Sequence, residues 1–392
     1  MIDVHQARRI IMEHPPVGSV ELRLLQHAVG RMAGHDVMAP DPYPIADVSA
    51  VDGYAVTGTE GPWIVVGELA AGEVFGHALL RGQAVRIFTG AAVPEGTEAV
   101  LMQERCERNG ESVRHPGGVL RPGANIRRKG ESVKAGERIL AKGSVLTPAA
   151  IGLLASCGVK ELLAAAPPKV SIIRTGGEFI TIGAPREGRI HSSNDPLLVA
   201  ALRVHGDLPC TTFQATDELE DLRGAILAGK EWGEVVITTG GASVGDHDRL
   251  VPVLSELGGR IHFHGVSQKP GKPMFFATLD GVPFFGLPGN PRAVLVLFHL
   301  YVLPFLRALQ GASDPYPPHE QLPIAAALEV SGERTEFRAA RVHGGRVHLL
   351  ADEGSHMLRG LVEANALAVL PAEQRAWAPG DPVEVYHLPH GA

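Results

Sequence analysis

The spacing of apolar positions changes along the chain, and each change marks a different part of the protein. Between residues 48 and 146, short apolar runs such as WIVVGEL and ERILAKG are separated by glycine, which is typical of a small β domain. Between residues 169 and 241, the buried-strand patterns KVSII and EVVITTGG alternate with helical patterns of roughly 10 to 13 residues. This alternation predicts parallel βαβ units, whose ligands bind at the carboxyl ends of the strands.

Capping signals indicate where several helices begin. Thr147 lies before a proline and a helical pattern that ends at Gly158. The Asn-Asp pair at 194–195 predicts a second start, and Asp217 with Glu220 forms a capping pair for a third. After about residue 315 short alternating strands return, which predicts a further small β barrel or sheet.

Composition limits the classes of function. Hydrophobic residues make up 45% of the 392 positions and charged residues 20%, as in a folded globular protein. The net charge of -7 argues against nucleic-acid binding as the main activity, so an anionic ligand would need a local positive site. The three cysteines are far apart without a CxxC pair, which argues against a zinc site or disulfides and favours the cytoplasm.

Two apolar segments bear on membrane association. The N-terminal MIDVHQARRIIMEH has the spacing of an amphipathic helix and lacks the core of a signal peptide. The longest apolar run, residues 293–306, is interrupted by His299 and Pro304 and is too short for a bilayer core of roughly 30 Å. We therefore expect a soluble protein that does not bind membranes.

Three rigid turns in the α/β segment could bind anions. ITTGGASVGD is a glycine-rich strand-to-helix turn that matches neither the Walker A loop nor GxGxxG. KPGKP places two lysines on a turn stiffened by proline, and GLPGNP leads into a helix with Asn290 as N-cap and Pro291 at its first position. Each turn alone could equally be a plain glycine turn, a pair of solvated lysines or an ordinary capped helix. Three such turns within about 60 residues favour an anion site over coincidence.

Several polar side chains follow predicted strands or precede predicted helices. Asp52 and Thr89 lie in separate turns of the β region, where ordinary turn chemistry is an alternative. Glu178, Asp217 and Asp248 could bind magnesium or cap helices. The histidines at 262 and 264 share a strand face, but no third metal ligand is identifiable.

Together these segments resemble the molybdopterin molybdenumtransferase family, which includes the C-terminal part of gephyrin. SAVDGYAV, RIFTGAAVPEGTEAVLMQE, TTGGASVGDHD, KPGKP, GLPGNP and GSHMLRGLVEANALAVLP follow in the order found in that family, as does a long block at 125–159. The resemblance runs over nearly the whole chain. It implies a multidomain α/β plus β protein with a three-layer molybdopterin-binding α/β domain, an inserted β domain and a C-terminal β barrel. The implied boundaries are 1–46 with 144–166 for a discontinuous linking domain, 47–143 for the inserted domain, 167–312 for the α/β domain and 313–392 for the barrel.

The resemblance also implies a reaction and a set of site residues. The expected enzyme is a cytoplasmic homodimer that takes adenylylated molybdopterin and molybdate, inserts the metal with the help of Mg²⁺ and releases AMP. Molybdopterin adenylyltransferase and apo molybdoenzymes are the implied partners. The family's acidic and hydroxyl site residues match Asp52, Thr89, Glu178, Asp217 and Asp248, with Glu178 and Asp248 as metal ligands. Asp52 and Thr89 are expected to complete the cleft of the other subunit. The implied substrate-binding residues are Gly240, Gly241, Ser243, Gly245, Lys269, Lys272, Pro288, Gly289, Asn290, Pro291, Arg338 and Ser355.

Some positions depart from the family pattern. Ser132, Gly177 and Ser192 stand where aspartate is usual. GNPVSA has become GNPRAV, which introduces Arg292, and Arg338 directly follows the phenylalanine of the EF motif, so that Ala339 occupies the usual place of an arginine. Lost carboxylates motivate a second hypothesis, a molybdopterin-binding paralogue or scaffold with little turnover. A third, the adenylylation step itself, fits the shared α/β domain but not the four-domain architecture.

Overall fold

The computed structural model describes residues 1–15, 18–117, 119–180, 190–241, 249–351, 354 and 357–389. The predicted site residues Ser243, Gly245, Asp248 and Ser355 lie outside the described residues.

Two segments that flank the inserted β region in sequence pair with each other. Strand Val20–Leu24 pairs antiparallel with Glu161–Ala165, and Val37–Met38 pairs with Arg138–Leu140. The helix Pro148–Ser156 begins as predicted, because the Thr147 hydroxyl accepts a hydrogen bond from the Ala150 N–H at 3.2 Å. The remaining elements here are the helix Val4–Met12 and the short 3₁₀ helix Leu25–His27.

The inserted β region forms a six-stranded sheet. In spatial order its strands are Ala99–Met102, Gly53–Val56, Gln83–Ile87, Trp63–Leu69, Ser112–Arg114 and Glu107–Asn109. A two-residue pair, Val48–Ser49 with Ile126–Arg127, and a 3₁₀ turn at Gln103–Arg105 complete it. Separate apolar clusters cover the two sheet faces, one around Trp63 and one around Ile87. Because the strands are short and the clusters small, this part has the β architecture that the glycine-separated runs predict.

The α/β domain is built on a second six-stranded sheet. Its strands lie in the order Cys210–Ala215, Val170–Thr175, Val235–Thr239, Val282–Leu287, Phe275–Leu279 and Arg260–His264. The first four run parallel to one another, Phe275–Leu279 runs antiparallel to them, and Arg260–His264 pairs antiparallel with Phe275–Leu279. A short parallel pair, Phe179–Ile180 with Ile190–His191, lies apart from the main sheet.

Helices cover both faces of this sheet. Asn194–Val204 and the helix that starts at Pro291 pack on one face with Ile172, Ile237 and Phe285. Leu219–Trp232 and Leu250–Glu256 pack on the other face with Ile173, Val236 and Phe284. Neighbouring strand residues face opposite sides of the sheet, so these paired sets define three layers. The predicted three-layer α/β architecture is confirmed.

Two predicted helix starts are wrong by one or two residues. The third helix begins at Leu219 with Glu218 as N-cap, so Asp217 does not cap it. Ser193 is the N-cap of the helix Asn194–Val204, and the Asn194 amide instead donates to the Gly289 carbonyl at 2.8 Å. Runs of consecutive polar residues offer several capping candidates, and tertiary contacts select among them.

The apolar helix of this domain is longer than the sequence predicts. It runs from Pro291–Leu297 through a π-helical turn, Phe298–Val302, to Leu303–Leu309. The widened turn directly precedes Pro304, where a regular α-helix would be broken by the missing N–H and the ring. At 19 residues this helix is long and apolar enough to span a membrane, so the expectation that it is too short is wrong. Because 83% of its most apolar window is buried inside the protein, it is a core helix.

The C-terminal strands close into a barrel. The sheet contains Thr335–His343, Ala366–Leu370, Pro382–His387 and His319–Pro323, with Arg346–Leu349 beside the first of these. A bridge between Ile324 and Val347 joins the two ends, and Ile324, Val347 and Trp377 lie in the apolar interior. The pair Leu328–Glu329 with Ala376–Trp377 and the helix Arg359–Glu363 complete this part. The predicted C-terminal β barrel is confirmed.

Candidate functional site

The glycine turns at the carboxyl ends of the central strands meet one another. The Gly240 N–H donates to the Leu287 carbonyl at 3.1 Å, and a β-carbon built on Gly289 would lie 3.9 Å from the Cα of Gly240. The Asn194 side chain holds the Gly289 carbonyl from the neighbouring helix. The turn that begins TTGG and the GLPGNP turn are therefore parts of one edge of the sheet, as the parallel topology requires.

Close backbone contact explains the glycines of the first turn. Gly240 has φ of +83° and Gly241 has φ of +62°, in the left-handed region that disfavours other residues. A β-carbon on Gly240 would lie 2.7 Å from the Thr175 hydroxyl oxygen, which itself donates to the Thr239 carbonyl. A side chain at residue 240 would thus collide with the end of the adjacent strand.

Glu178 lies directly beyond the strand Val170–Thr175. Its carboxylate folds back over the chain, since a β-carbon built on Gly176 would lie 2.1 Å from Glu178 Oε2. Gly176 has φ of +123°, so glycine is required both by conformation and by this contact. The carboxylate is exposed at the sheet edge where the glycine turns meet.

A polar network supports this edge from the side. Arg174 Nη1 contacts Asp195 Oδ2 at 3.2 Å, and both side chains are mostly buried. Ser192, where the family resemblance leads us to expect aspartate, donates its hydroxyl to the same Asp195 carboxylate. The carboxylate therefore has both a cationic and a neutral partner, an arrangement that a second acid at 192 would oppose by charge repulsion.

A cavity of about 290 Å³ lies where the α/β domain meets the barrel. Its walls come from the KPGKP turn, the start of the apolar helix and the barrel strand Thr335–His343. The lining residues are Gln268, Lys269, Pro270, Gly271, Lys272, Pro273, Pro288, Asn290, Arg292, Ala293, Arg334, Glu336, Phe337 and Arg338. Among these described residues, five are cations and one is a carboxylate, so the cavity has a strong excess of positive charge.

The single carboxylate of this lining, Glu336, already has two cationic partners. Lys269 Nζ lies 3.4 Å from Glu336 Oε1, and Arg338 Nη2 lies 2.8 Å from Glu336 Oε2. The Glu336 side chain is only 7% exposed, which is expected when a buried charge is paired. Arg338 is thereby held in a defined position at the cavity wall.

Backbone pairing and close packing hold the KPGKP turn in place. The strand Gln268–Lys269 runs parallel to Thr335–Glu336, so the turn is hydrogen-bonded into the barrel sheet. Gly271 has φ of +91°, and a β-carbon there would lie 2.8 Å from the Leu297 side chain. The Gln268 side-chain amide donates to the Gly271 carbonyl at 3.2 Å and its oxygen accepts from the Tyr301 hydroxyl. The lysines therefore project from a turn anchored to both domains.

Asp52 and Thr89 form a separate pair in the inserted β region. The Thr89 N–H and hydroxyl donate to Asp52 Oδ1 at 2.8 Å and 2.7 Å. These two hydrogen bonds, with a smaller contribution from Arg86, lower the pKa of the Asp52 carboxyl below its ordinary value. The pair is exposed and carries the negative charge of Asp52. Within a single chain, neither residue is part of the described cavity lining.

The structure brings some predicted residues together and separates others. Lys269, Lys272, Pro288, Asn290 and Arg338 line one cavity. Gly240, Gly241, Gly289 and Pro291 lie in or beside the adjoining turns. Asp217 is exposed, and its carbonyl accepts from Arg249 at 3.3 Å.

The acidic side chains bear on the predicted magnesium site. Within the described residues, no group of three or more His, Cys, Asp or Glu side chains is close enough to hold a metal ion. Glu178 is the member of the predicted metal pair that the structure describes, since Asp248 lies outside that part of the chain.

Two cavity residues, Arg334 and Glu336, were not predicted from the sequence. Arg334 Nη1 donates to the Gln268 carbonyl at 3.3 Å, and Glu336 forms an ion pair with Lys269, the residue after Gln268. The run RTEFR carries alternating charges, which is also the pattern of an ordinary exposed strand face. This charge pattern indicates cavity residues only when the parallel pairing of the strand with Gln268–Lys269 is known.

Family models match three successive parts of the chain. Residues 2–158 match the MoeA N-terminal region (domain I and II), residues 171–308 match a probable molybdopterin binding domain, and residues 321–388 match the MoeA C-terminal region (domain IV).

Full-length relatives show the same similarity. A molybdopterin molybdenumtransferase of Haemophilus influenzae is 33% identical, with 100% of this chain and 99% of that protein covered. One of Bacillus subtilis is 32% identical over 98% of this chain and 93% of that protein. A gephyrin of Dictyostelium discoideum is 29% identical and covers 95% of this chain, which matches 60% of that protein. A crystal structure of a molybdopterin biosynthesis moeA protein from Pyrococcus horikoshii has a TM-score of 0.83 at 26% identity, covering 99% of this chain and 100% of that chain.

Proposed function

Because the chain belongs to the molybdopterin molybdenumtransferases, a family of transferases in molybdenum cofactor biosynthesis, we propose that it inserts molybdenum from molybdate into adenylylated molybdopterin and releases AMP. The observation that carries this proposal is the cationic cavity beside the Gly240 and Gly289 turns. Both substrates are anions, and a preorganised positive site lowers the cost of holding them close together.

The two parts of the edge suit two different groups. The N–H groups of the glycine turns and the start of the apolar helix suit the phosphate of the pterin, as strand-to-helix turns do in other α/β proteins. The cavity, with Lys269 and Lys272 on a rigid turn, suits molybdate. Adjacent binding would place the oxyanion next to the substrate that receives its metal.

We further propose that Mg²⁺ binds at Glu178 together with Asp248. A divalent ion there would neutralise the phosphoanhydride as AMP leaves. In support, the Glu178 carboxylate is exposed at the sheet edge and positioned by its contact with Gly176. The protein's own contribution to this step is the fixed position of that carboxylate.

The working unit is proposed to be a homodimer. Val20, Leu22 and Leu24 project from one face of a two-stranded sheet and are 49%, 59% and 53% exposed, with Leu163 beside Leu22 on the paired strand. An apolar face of this kind on a two-stranded sheet favours burial against another surface. A second copy covering it would allow Asp52 and Thr89 of each chain to complete the site of the other.

A single charged substitution in the exposed apolar face tests the dimer proposal. Leu22→Asp should give a monomer in light scattering after gel filtration, lose AMP release and keep molybdate binding. Val74→Asp is the matched control, because Val74 is 84% exposed in a different part of the chain. A monomeric Leu22→Asp protein with normal AMP release would contradict the shared site.

A turnover assay tests the reaction. Purified protein would be given adenylylated molybdopterin, molybdate and Mg²⁺, and both AMP release and activation of an apo molybdoenzyme would be measured. We expect AMP release that depends on molybdate. Pterin binding without AMP release would refute the insertase and favour a binding paralogue, which the serines and glycine at 132, 177 and 192 motivate.

The reaction implies its neighbours and location. A molybdopterin adenylyltransferase would supply the substrate and apo molybdoenzymes would take the product. We propose a cytoplasmic location, in agreement with three separate free cysteines and no disulfide among the described residues.

A further inference from the structure

Arg174 lies at the centre of a contact network at the carboxyl end of the strand Val170–Thr175. Its Nη1 contacts Asp195 Oδ2 at 3.2 Å, and its Nη2 donates to Gln214 Oε1 at 2.6 Å. Its Cζ lies 5.0 Å from the centroid of the Phe179 ring. The Arg174 side chain is only 16% exposed, so solvent screens these contacts little. One guanidinium therefore joins the ends of two neighbouring strands, the start of a helix and the chain beyond the first strand.

The short parallel strand pair beside this network is held at both of its ends. Phe179 opens the first strand and lies against the guanidinium. Ser192 directly follows the second strand and donates its hydroxyl to the Asp195 carboxylate. Both ends of the strand pair therefore depend on the same ion pair between Arg174 and Asp195.

Glu178 is the residue directly before this strand pair. Its carbonyl accepts a hydrogen bond from the Ile190 N–H at 2.9 Å, and the residue that follows it is Phe179. The Glu178 side chain is exposed at the sheet edge. An exposed side chain gains little packing energy to offset the entropy cost of a fixed position. The position of this carboxylate therefore depends on the backbone that carries it.

We propose that Arg174 is a positioning residue for the Glu178 carboxylate. The proposal rests on the proposed function for the role of Glu178 in AMP release. A planar guanidinium can place its face on the Phe179 ring while its edge donates to Asp195 and Gln214, which the point charge of a lysine cannot do at once. A displacement of about 1 Å in a group near the reaction can cost on the order of 100-fold in rate.

Amide hydrogen exchange in the full-length protein without ligands tests whether Arg174 holds this backbone. The Ile190 N–H should exchange about tenfold faster in Arg174→Met than in wild type, because the strand pair has lost its anchor, while the amides of Val170–Thr175 stay protected. Arg223→Met is the matched control, because Arg223 forms an ion pair between the two helices on the other face of the sheet. Exchange at Ile190 should not change in this control. Unchanged exchange at Ile190 in Arg174→Met would overturn the proposal.

A second variant covers a loss of stability in Arg174→Met, which leaves the mostly buried Asp195 carboxylate without its cation. Arg174→Met combined with Asp195→Asn removes both charges, and the asparagine oxygen can still accept from Ser192. This double variant should unfold near the wild-type temperature and still show the faster exchange at Ile190. Wild-type exchange in the double variant would contradict the assigned role.

A double-mutant cycle on AMP release separates positioning from general destabilisation. Arg174→Met should lower kcat about tenfold and leave the KM for adenylylated molybdopterin unchanged, and Arg174→Lys should lower kcat by less. In a Glu178→Gln background, Arg174→Met should lower kcat by no more than about twofold further, because the carboxylate that it positions is gone. Equal losses in the two backgrounds would refute action through Glu178.

The proposal and the reaction can fail separately. If wild type releases no AMP but Arg174→Met speeds exchange at Ile190, the positioning role stands and the insertase function falls. If wild type releases AMP and Arg174→Met changes neither the exchange at Ile190 nor kcat, the positioning role falls and the function stands.

Discussion

Replacement of Gly271 by alanine tests whether packing against the apolar helix positions the two lysines of the KPGKP turn. Gly271 has φ of +91°, and an added β-carbon would lie 2.8–2.9 Å from three atoms of the Leu297 side chain. Leu297 is itself fully buried, so it has little freedom to move away.

The expected cost has two parts. A left-handed conformation costs an alanine about 1–2 kcal/mol relative to glycine. Forcing a methyl group into a packed interior costs about 1–3 kcal/mol more. Gly281→Ala isolates the second part, because Gly281 has φ of +83° in the neighbouring hairpin and its β-carbon would meet nothing within 4 Å.

Calorimetric unfolding of the two variants gives the comparison. A difference of about 2 kcal/mol corresponds to roughly 4–8 °C, so Gly271→Ala should unfold at a temperature lower than Gly281→Ala by that amount. Molybdate binding should weaken by about tenfold in Gly271→Ala alone, a loss of about 1.4 kcal/mol. Equal unfolding temperatures and equal molybdate affinities in the two variants would refute the idea that the Leu297 contact positions the turn.

Three further predictions follow from other contacts. Thr147→Ala should lower the free energy of unfolding by about 1 kcal/mol in denaturant titrations, since it removes the hydroxyl that accepts from the Ala150 N–H, whereas Thr147→Ser should lose little. Lys269→Ala should raise the molybdate concentration needed for AMP release, while the exposed Lys134→Ala should leave it unchanged; equal requirements in both would exclude an anion role for Lys269. Burial lowers the pKa of His205 to about 4 and that of His299 to about 3, so both bind protons on unfolding below about pH 6.5. The free energy of unfolding should therefore fall as pH decreases from about 6.5 towards 4, by up to about 1.4 kcal/mol per pH unit for each histidine, and His299→Leu should flatten this profile.

Local patterns predicted the layers of the fold because each layer has its own spacing of apolar residues. The buried strands around Val170 and Val235 and the helix after Thr147 are examples in which pattern and structure agree. Helix starts within polar runs are less predictable: the sequence predicts Asp217 as a cap, whereas Glu218 is the N-cap of that helix. Continuation of the apolar helix past Pro304 depends on a π-helical turn, which no local propensity signals.

The candidate site was predicted from the sequence only in part. The lysines of the KPGKP turn and the GLPGNP turn could be predicted because proline and glycine are direct sequence signals of a rigid turn. Arg334 and Glu336 were missed because they approach Lys269 through pairing between strands more than 60 residues apart. Alternating charges in one strand do not identify which other strand will pair with it and bury its side chains.

The apolar core beneath the candidate site is shared by distant parts of the chain, and this has a consequence for biosynthesis. One continuous cluster joins Val4 and Ile11 of the first helix, the apolar helix, Phe337 and Leu367 of the barrel, and Leu388 near the end of the barrel. During translation the apolar helix emerges from the ribosome before the strands that cover it. Its flank would remain open to chaperones or to aggregation until residues up to 388 have been released. Premature termination within the barrel should therefore yield an insoluble product rather than a functional shorter enzyme.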